Sequence, residues 1–311
     1  MPSPARTAGQ LGRLPVKPAA ERFPIRYLSA YLREPIPAPA YPVDVTGGIA
    51  DDAWGVLGNG LDPSCTSYPG GVGDCGFAGR EHYRYAKAAC YGEQEPRESS
   101  DELVAEYLAY DGGQDAGVNL ADVLLAWYKA GKILGFAPVN HADPAEVDAV
   151  MQAFRGVYCG VNLTSDAQQL FGAGQPWTVA DGEQPDPSAG HCIVKVRADG
   201  HQLDSYVTWG HSQSATRDWS SACLEEAWAV ITSEDEAARV DMAALVADIE
   251  ALHGTPPQPP APAPAPPPAP VPVPVDHKSL LEQLAGHVRE VAASEQQDIT
   301  ELLAFLASNG L

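Results

Sequence analysis

The spacing of hydrophobic positions changes character near the middle of the chain. In the first half, apolar residues recur at helical intervals and follow residues that favour helix starts, such as Ser99 with Glu102. Helices are predicted over residues 77–89, 99–110, 119–130 and 143–154. In the second half, β-branched and aromatic runs bounded by Gly, Asp and Ser predict strands over residues 157–163, 191–196, 203–209 and 227–231. Helices followed by strands predict an α+β fold.

The pattern after residue 232 predicts a helix, a spacer and a second helix. Ser233 and Glu236 have the spacing of a capping box, and Gly254 ends the helix that they would open. Residues 255–275 alternate Pro with Ala and Val, which is typical of an extended polyproline spacer of roughly 60 Å.

Residues 276–311 place apolar side chains on one helical face, with Glu295 interrupting it as a stutter interrupts a coiled-coil repeat. A helix that has an apolar face must bury it, so we expect self-association or docking to a protein partner. Folding back onto the preceding domain is the alternative.

Composition narrows the classes of partner. The 311 residues carry 41 acidic and 19 basic side chains, a formal net charge of −22, so nucleic acid is not expected as a partner. Residues 1–44 differ, forming a basic, Pro-rich N-terminal arm ahead of a main domain at 45–254. The sequence predicts no membrane span and no signal peptide, and thus a soluble protein that is cytoplasmic or virion-associated.

Cys75 is the cysteine with the clearest chemical setting. The six cysteines lack zinc-site spacing and are too sparse for a disulfide scaffold, so no metal and no cofactor are predicted. Cys75, however, lies between a Gly-rich loop and the helix predicted over 77–89. Unpaired amides and the macrodipole at a helix N-terminus stabilise a thiolate and an oxyanion, which suits acyl transfer.

The residues around Cys75 and His191 resemble the papain-like cysteine peptidases. Gly-Asp-Cys-Gly-Phe-Ala at 73–78 is similar to the family's nucleophile motif, Gly190-His191 to its histidine strand, and Thr208-Trp209-Gly210 to its Trp-Gly motif. The resemblance implies a helical lobe followed by an antiparallel β lobe, with Cys75 as nucleophile, His191 as base and Trp209 over the imidazole. Together with Gly58-Asn59, these motifs resemble most closely an uncharacterised group of papain-like proteins from bacterial and phage genomes.

Two positions depart from the family pattern. Val207 stands where the family has the Asn that orients the imidazole, which leaves Thr208, if the strand register shifts, and Asp204 as candidates for that role. Pro69 stands where the family has its oxyanion Gln. If residues 60–71 form an insertion that loops out, Asn59 is the candidate to donate a hydrogen bond to the oxyanion in place of that Gln.

Two functional hypotheses follow. In the first, the protein is a thiol hydrolase that cleaves an amide bond in a peptide or a cell-wall peptide crosslink through Cys75 and His191, with Asn59 and Thr208 assisting. In the second, it is a catalytically inert papain-like module, binding or virion-associated, that the helix at 276–311 oligomerises. Val207 and the long spacer favour the second.

Overall fold

A computed structural model describes residues 11–16, 25–59, 62–93, 96–180, 182–235 and 239–252. The predicted spacer at 255–275 and the helix at 276–311 lie outside the described residues, as does much of the N-terminal arm. Within the described ranges, no helix has the length and apolar content that a bilayer crossing requires.

The helices of the first half form close to where the sequence predicts them. The helices are α1 (Cys75–Cys90), α2 (Ser100–Tyr110), α3 (Leu120–Lys129), α4 (Pro144–Phe154), α5 (Ala167–Gly172), α6 (Arg217–Cys223) and α7 (Met242–Ala251). Ser99 closes a full capping box with Glu102, and the side chains of Asn119 and Asp143 accept amide hydrogen bonds at the starts of α3 and α4. Local capping chemistry therefore fixes these starts.

The described strands form one seven-stranded antiparallel sheet. They are β1 (Val43–Asp44), β2 (Gly135–Val139), β3 (Val157–Asn162), β4 (Gly190–Ala198), β5 (Leu203–Thr208), β6 (His211–Thr216) and β7 (Leu224–Ile231). Their order is β2-β7-β3-β4-β5-β6, with β1 pairing with β4. The sequence pattern predicted no strand at β1, β2 or β6 and no helix at α5 or α6. Pro138 interrupts the pattern of β2, and β6 is rich in Ser, Thr and Gln, so neither carries a strong apolar signal.

The predicted helix start at Ser233 is wrong. Residues 232–235 form a turn, and α7 begins at Met242 with Asp241 as its N-cap. The Asp235 carboxylate accepts the Thr232 amide at 2.8 Å and also pairs with the buried ammonium of Lys87. This tertiary ion pair holds Asp235 in the turn, so the capping pattern at Ser233 does not start a helix there.

Helix α1 lies against the sheet at two glycines. A Cβ on Gly76 would come within 2.5 Å of Val118, and one on Gly79 within 2.8 Å of the Cys192 sulfur. The Tyr158 hydroxyl from β3 also donates to the Gly76 carbonyl at 2.7 Å. A side chain at Gly79 would push the helix away from β4, and one at Gly76 would push it away from Val118, in the loop before α3. The two glycines therefore set how closely α1 approaches β4 on one side and that loop on the other.

A buried ionic cluster fixes the other face of the sheet. The Lys195 ammonium lies 2.7 Å from Asp148 and 3.0 Å from Asp204, and all three side chains are at most 2% exposed. Arg217 pairs with both carboxylates from its partly exposed position. Buried charges are tolerated only when they are compensated in this way, so the cluster accounts for Asp204 without any role at His191.

Candidate active site

Cys75 is the first residue of α1 and its side chain is buried. The residue is 1% exposed, and the backbone amides of Cys192 and Gly12 are placed where they favour its thiolate. Burial dominates these contacts and raises the pKa of the Cys75 thiol to about 12. The sulfur is therefore a neutral thiol in this conformation at physiological pH.

His191 is held in a fixed orientation by two neighbours. Its Nε2 lies 2.7 Å from the Thr208 hydroxyl oxygen, and its ring stacks on Trp209 with centroids 4.6 Å apart and planes 24° apart. Its other nitrogen, Nδ1, has no hydrogen-bond partner among the described residues. Burial, with a smaller contribution from the positive charge of Arg13, lowers the pKa of His191 to about 3. The imidazole is therefore neutral.

The register between β4 and β5 places Thr208 at the imidazole. Val194 pairs with Val207, so these two share one face of the sheet. His191 and Thr208 are an odd number of positions from that pair and share the opposite face, because side chains alternate along a strand. The antiparallel register alone thus turns Val207 away from His191 and brings Thr208 to it.

Asn59 lies beside the residue that precedes Cys75. Its amide donates to the Val72 carbonyl at 3.5 Å, and it also contacts the carboxyl group of Asp74. Asp74 is fully buried, and burial raises its pKa well above the ordinary range, although the Asn59 amide opposes that rise. Burial thus disfavours a negative charge on Asp74, next to the sulfur at the helix N-terminus.

Residues 11–16 pass through the cleft over Cys75, which the sequence did not predict. The Gly12 carbonyl accepts from the Val118 amide at 2.7 Å, and the Leu14 amide donates to the Val118 carbonyl at 2.8 Å. The Arg13 amide donates to the Gly190 carbonyl, next to His191, at 3.2 Å. The segment thus bonds to both walls of the cleft and shields the sulfur from water.

The closest contact of this segment is between two glycines. A Cβ on Gly12 would lie 1.5 Å from the Gly73 carbonyl oxygen, a distance that no side chain can adopt. One sequence feature pointed toward this contact: Gly12 stands next to Arg13 in the basic arm of an otherwise acidic chain. Nothing in that pattern identified Gly73 as its neighbour.

The architecture agrees with one solved structure. Xylellain, a cysteine protease from Xylella fastidiosa, superposes with a TM-score of 0.52 and 11% identity, covering 74% of this chain and 98% of that one. Comparisons with protein-family models and with curated proteins give no match. At this identity the likeness shows the fold alone, which is α+β and papain-like. It does not extend to the predicted phage group.

Proposed function

We propose that the protein is a papain-like thiol hydrolase that cleaves amide bonds in peptides. The observation that carries the proposal is the imidazole of His191, held by Thr208 and Trp209 with Nδ1 left to exchange a proton. Cys75 on the adjoining helix N-terminus supplies the nucleophile, because its sulfur neighbours the amide of Cys192, the residue after His191.

The proposed reaction has two acyl-transfer steps. His191 Nδ1 takes the thiol proton of Cys75, and the sulfur attacks the substrate carbonyl carbon. The C–N bond breaks, the leaving amine takes the proton from the imidazolium, and a thioester remains. Water, deprotonated by His191, then attacks the thioester and releases the carboxylic acid, while the proton returns to sulfur. The backbone amide at Cys75 holds the oxyanion in both steps.

The assignments of Asn59 and of the substrate belong to this proposal. The sequence predicts Asn59 as an oxyanion donor. Because its side chain contacts Val72 and Asp74, we propose a positioning role in its place, in which it holds the loop before the nucleophile. The substrate is a peptide or a cell-wall peptide crosslink that enters along the path now taken by residues 11–16.

Labelling with an electrophile tests the proposal. In the full chain carrying Gly12→Ala, which displaces the covering segment, a peptidyl vinyl sulfone is expected to label Cys75, and Cys75→Ala to abolish the labelling. Cys90→Ala is the matched control, since Cys90 is a half-buried thiol elsewhere on α1. Cleavage of a mixed peptide library, read by mass spectrometry, is expected to follow the same pattern. Equal labelling with and without Cys75 would refute the assignment.

The covered cleft favours a second candidate, an inert binding module. A thiol with a pKa of about 12 under residues 11–16 is also what a fold without catalysis would show. If the protein is an inert module, Cys75→Ala is expected to leave peptide cleavage unchanged. Deletion of residues 256–311 is expected to abolish the oligomers seen by light scattering. Library cleavage that depends on Cys75 would exclude it.

A further inference from the structure

A second group of buried polar side chains lies in the cleft, and the proposed reaction does not use it. Glu226 on β7 is 2% exposed, and its Oε2 accepts the Trp228 indole N–H at 2.8 Å. Asn162, the last residue of β3, is also buried, and it lies two positions along that strand from Gly160, which pairs with Glu226. A carboxylate and an amide oxygen buried together form a site for a cation that can donate several hydrogen bonds.

The guanidinium of Arg13 fills this site. Its Nη1 lies 3.2 Å from Glu226 Oε1, and its Nη2 donates to Asn162 Oδ1 at 2.5 Å. The two charged side chains are 1% and 3% exposed. Two acceptors at separate nitrogens match the planar fork of Arg, whereas the ammonium of Lys is a single point charge.

Gly160 on β3 makes room for the arginine stem. A Cβ there would lie 2.6 Å from Glu226 Cγ and 2.8 Å from Arg13 Cδ. Any other residue at 160 would therefore close the pocket. The room for the arginine stem therefore comes from a glycine of β3, in the wall of the domain.

The backbone that carries Arg13 is bound as an added strand. Residues 12 and 14 bond to Val118 on one wall, and Arg13 bonds to Gly190 on the other. Main-chain bonds of this kind bind any extended peptide, and the side-chain pocket then decides which sequence is preferred. The net charge of −22 also attracts basic peptides.

We propose that Glu226, Asn162 and Gly160 form a guanidinium pocket that selects peptides with an Arg side chain, and that Arg13 occupies it as an internal ligand. The pocket itself stands on the contacts above. Its use in substrate choice rests on the proposed hydrolase function, so the two are tested by separate experiments.

Binding of n-propylguanidinium tests the pocket without catalysis. In the full chain carrying Arg13→Ala, this cation is expected to raise Tm, and the isosteric neutral n-propylurea is not. Adding Glu226→Gln is expected to raise the half-saturating concentration at least about tenfold, the loss of a charge-assisted pair. Adding Glu225→Gln, an exposed carboxylate one position away, is the matched control and leaves binding unchanged. The pocket would be refuted if propylurea raised Tm as much as propylguanidinium does, or if Glu226→Gln left the half-saturating concentration of propylguanidinium unchanged.

Should Arg13→Ala fail to fold because Glu226 is left unpaired, a second measurement uses Gly12→Ala, which keeps Arg13. Two vinyl sulfones that differ only in Arg against citrulline are compared for their labelling of Cys75. The Arg probe is expected to react at least about tenfold faster, and Glu226→Gln is expected to remove the difference. Equal rates for the two probes overturn the selectivity. If neither probe labels Cys75, although propylguanidinium raises the Tm of the Gly12→Ala chain, the hydrolase is refuted and the pocket stands.

Discussion

Displacing residues 11–16 from the cleft is expected to make Cys75 reactive, and Gly12→Ala is the smallest change that does so. The new methyl group would lie 1.5 Å from the Gly73 carbonyl oxygen, so residues 11–16 and the Gly73 backbone cannot keep this contact. We expect residues 11–16 to be the part that moves. Water then reaches the sulfur, and the burial that raises the thiol pKa from 9.0 to about 12 is relieved.

The size of the effect follows from that shift. Three pKa units reduce the thiolate fraction at pH 7.5 about a thousandfold. A more basic thiolate is also a better nucleophile, so each thiolate in the covered state would react about 20- to 30-fold faster, which offsets part of the thousandfold decrease. We therefore expect the alkylation rate of Cys75 to rise at least about 30-fold in Gly12→Ala, and by more where the segment also blocks access.

The assay is alkylation by iodoacetamide between pH 6 and pH 10, read at each cysteine by peptide mass spectrometry. The rate at Cys75 is expected to reach half of its maximum near pH 9 and to level off toward pH 10 in Gly12→Ala, and to keep rising throughout in the original chain. Gly70→Ala is the matched control, because a Cβ at Gly70 meets nothing within 4 Å. A change of less than threefold at Cys75, or the same change in Gly70→Ala, would refute the reasoning.

Three further predictions concern buried polar groups. In the Gly12→Ala chain, Thr208→Val is expected to slow vinyl sulfone labelling about 10- to 100-fold, because His191 Nε2 loses its partner at 2.7 Å. The Tm of Asp74→Asn minus the Tm of the original chain is expected to increase as pH rises from 4 to 8. The raised carboxyl pKa of Asp74 gives stability that is complete at low pH and is lost as pH climbs toward the folded-state value. Lys195→Met is expected to cost about 3 to 5 kcal/mol in urea unfolding, since it leaves Asp148 with less compensation in a buried site.

Each of these predictions has a control and an opposing result. Thr208→Ser keeps the hydroxyl and should label at nearly the original rate; equal slowing by Ser and Val would point to packing instead. Parallel Tm curves for Asp74→Asn and the original chain across the pH range would contradict the raised pKa. Lys129→Met removes an exposed charge, and a loss of stability matching that of Lys195→Met would dismiss the ionic cluster as its cause.

The sequence by itself determined the parts of this protein that depend on neighbouring residues. Ser99 with Glu102, Asn119 and Asp143 cap helices locally, so the helix starts are readable from a few consecutive positions. The glycines around Cys75 likewise placed the thiol at a helix start. The alternating and apolar runs gave the strands that carry His191 and Thr208.

Only the tertiary structure decided which residues meet. Thr208 reaches His191 because Val207 pairs with Val194, and a pairing register is a relation between two strands that neither strand encodes alone. Glu226 meets Arg13 across 213 positions of chain. Residues 11–16 cover Cys75 by bonding to Val118 on one wall of the cleft and to Gly190 on the other. These contacts depend on the closing of a folded cleft, so no local pattern of charge or hydrophobicity could reveal them.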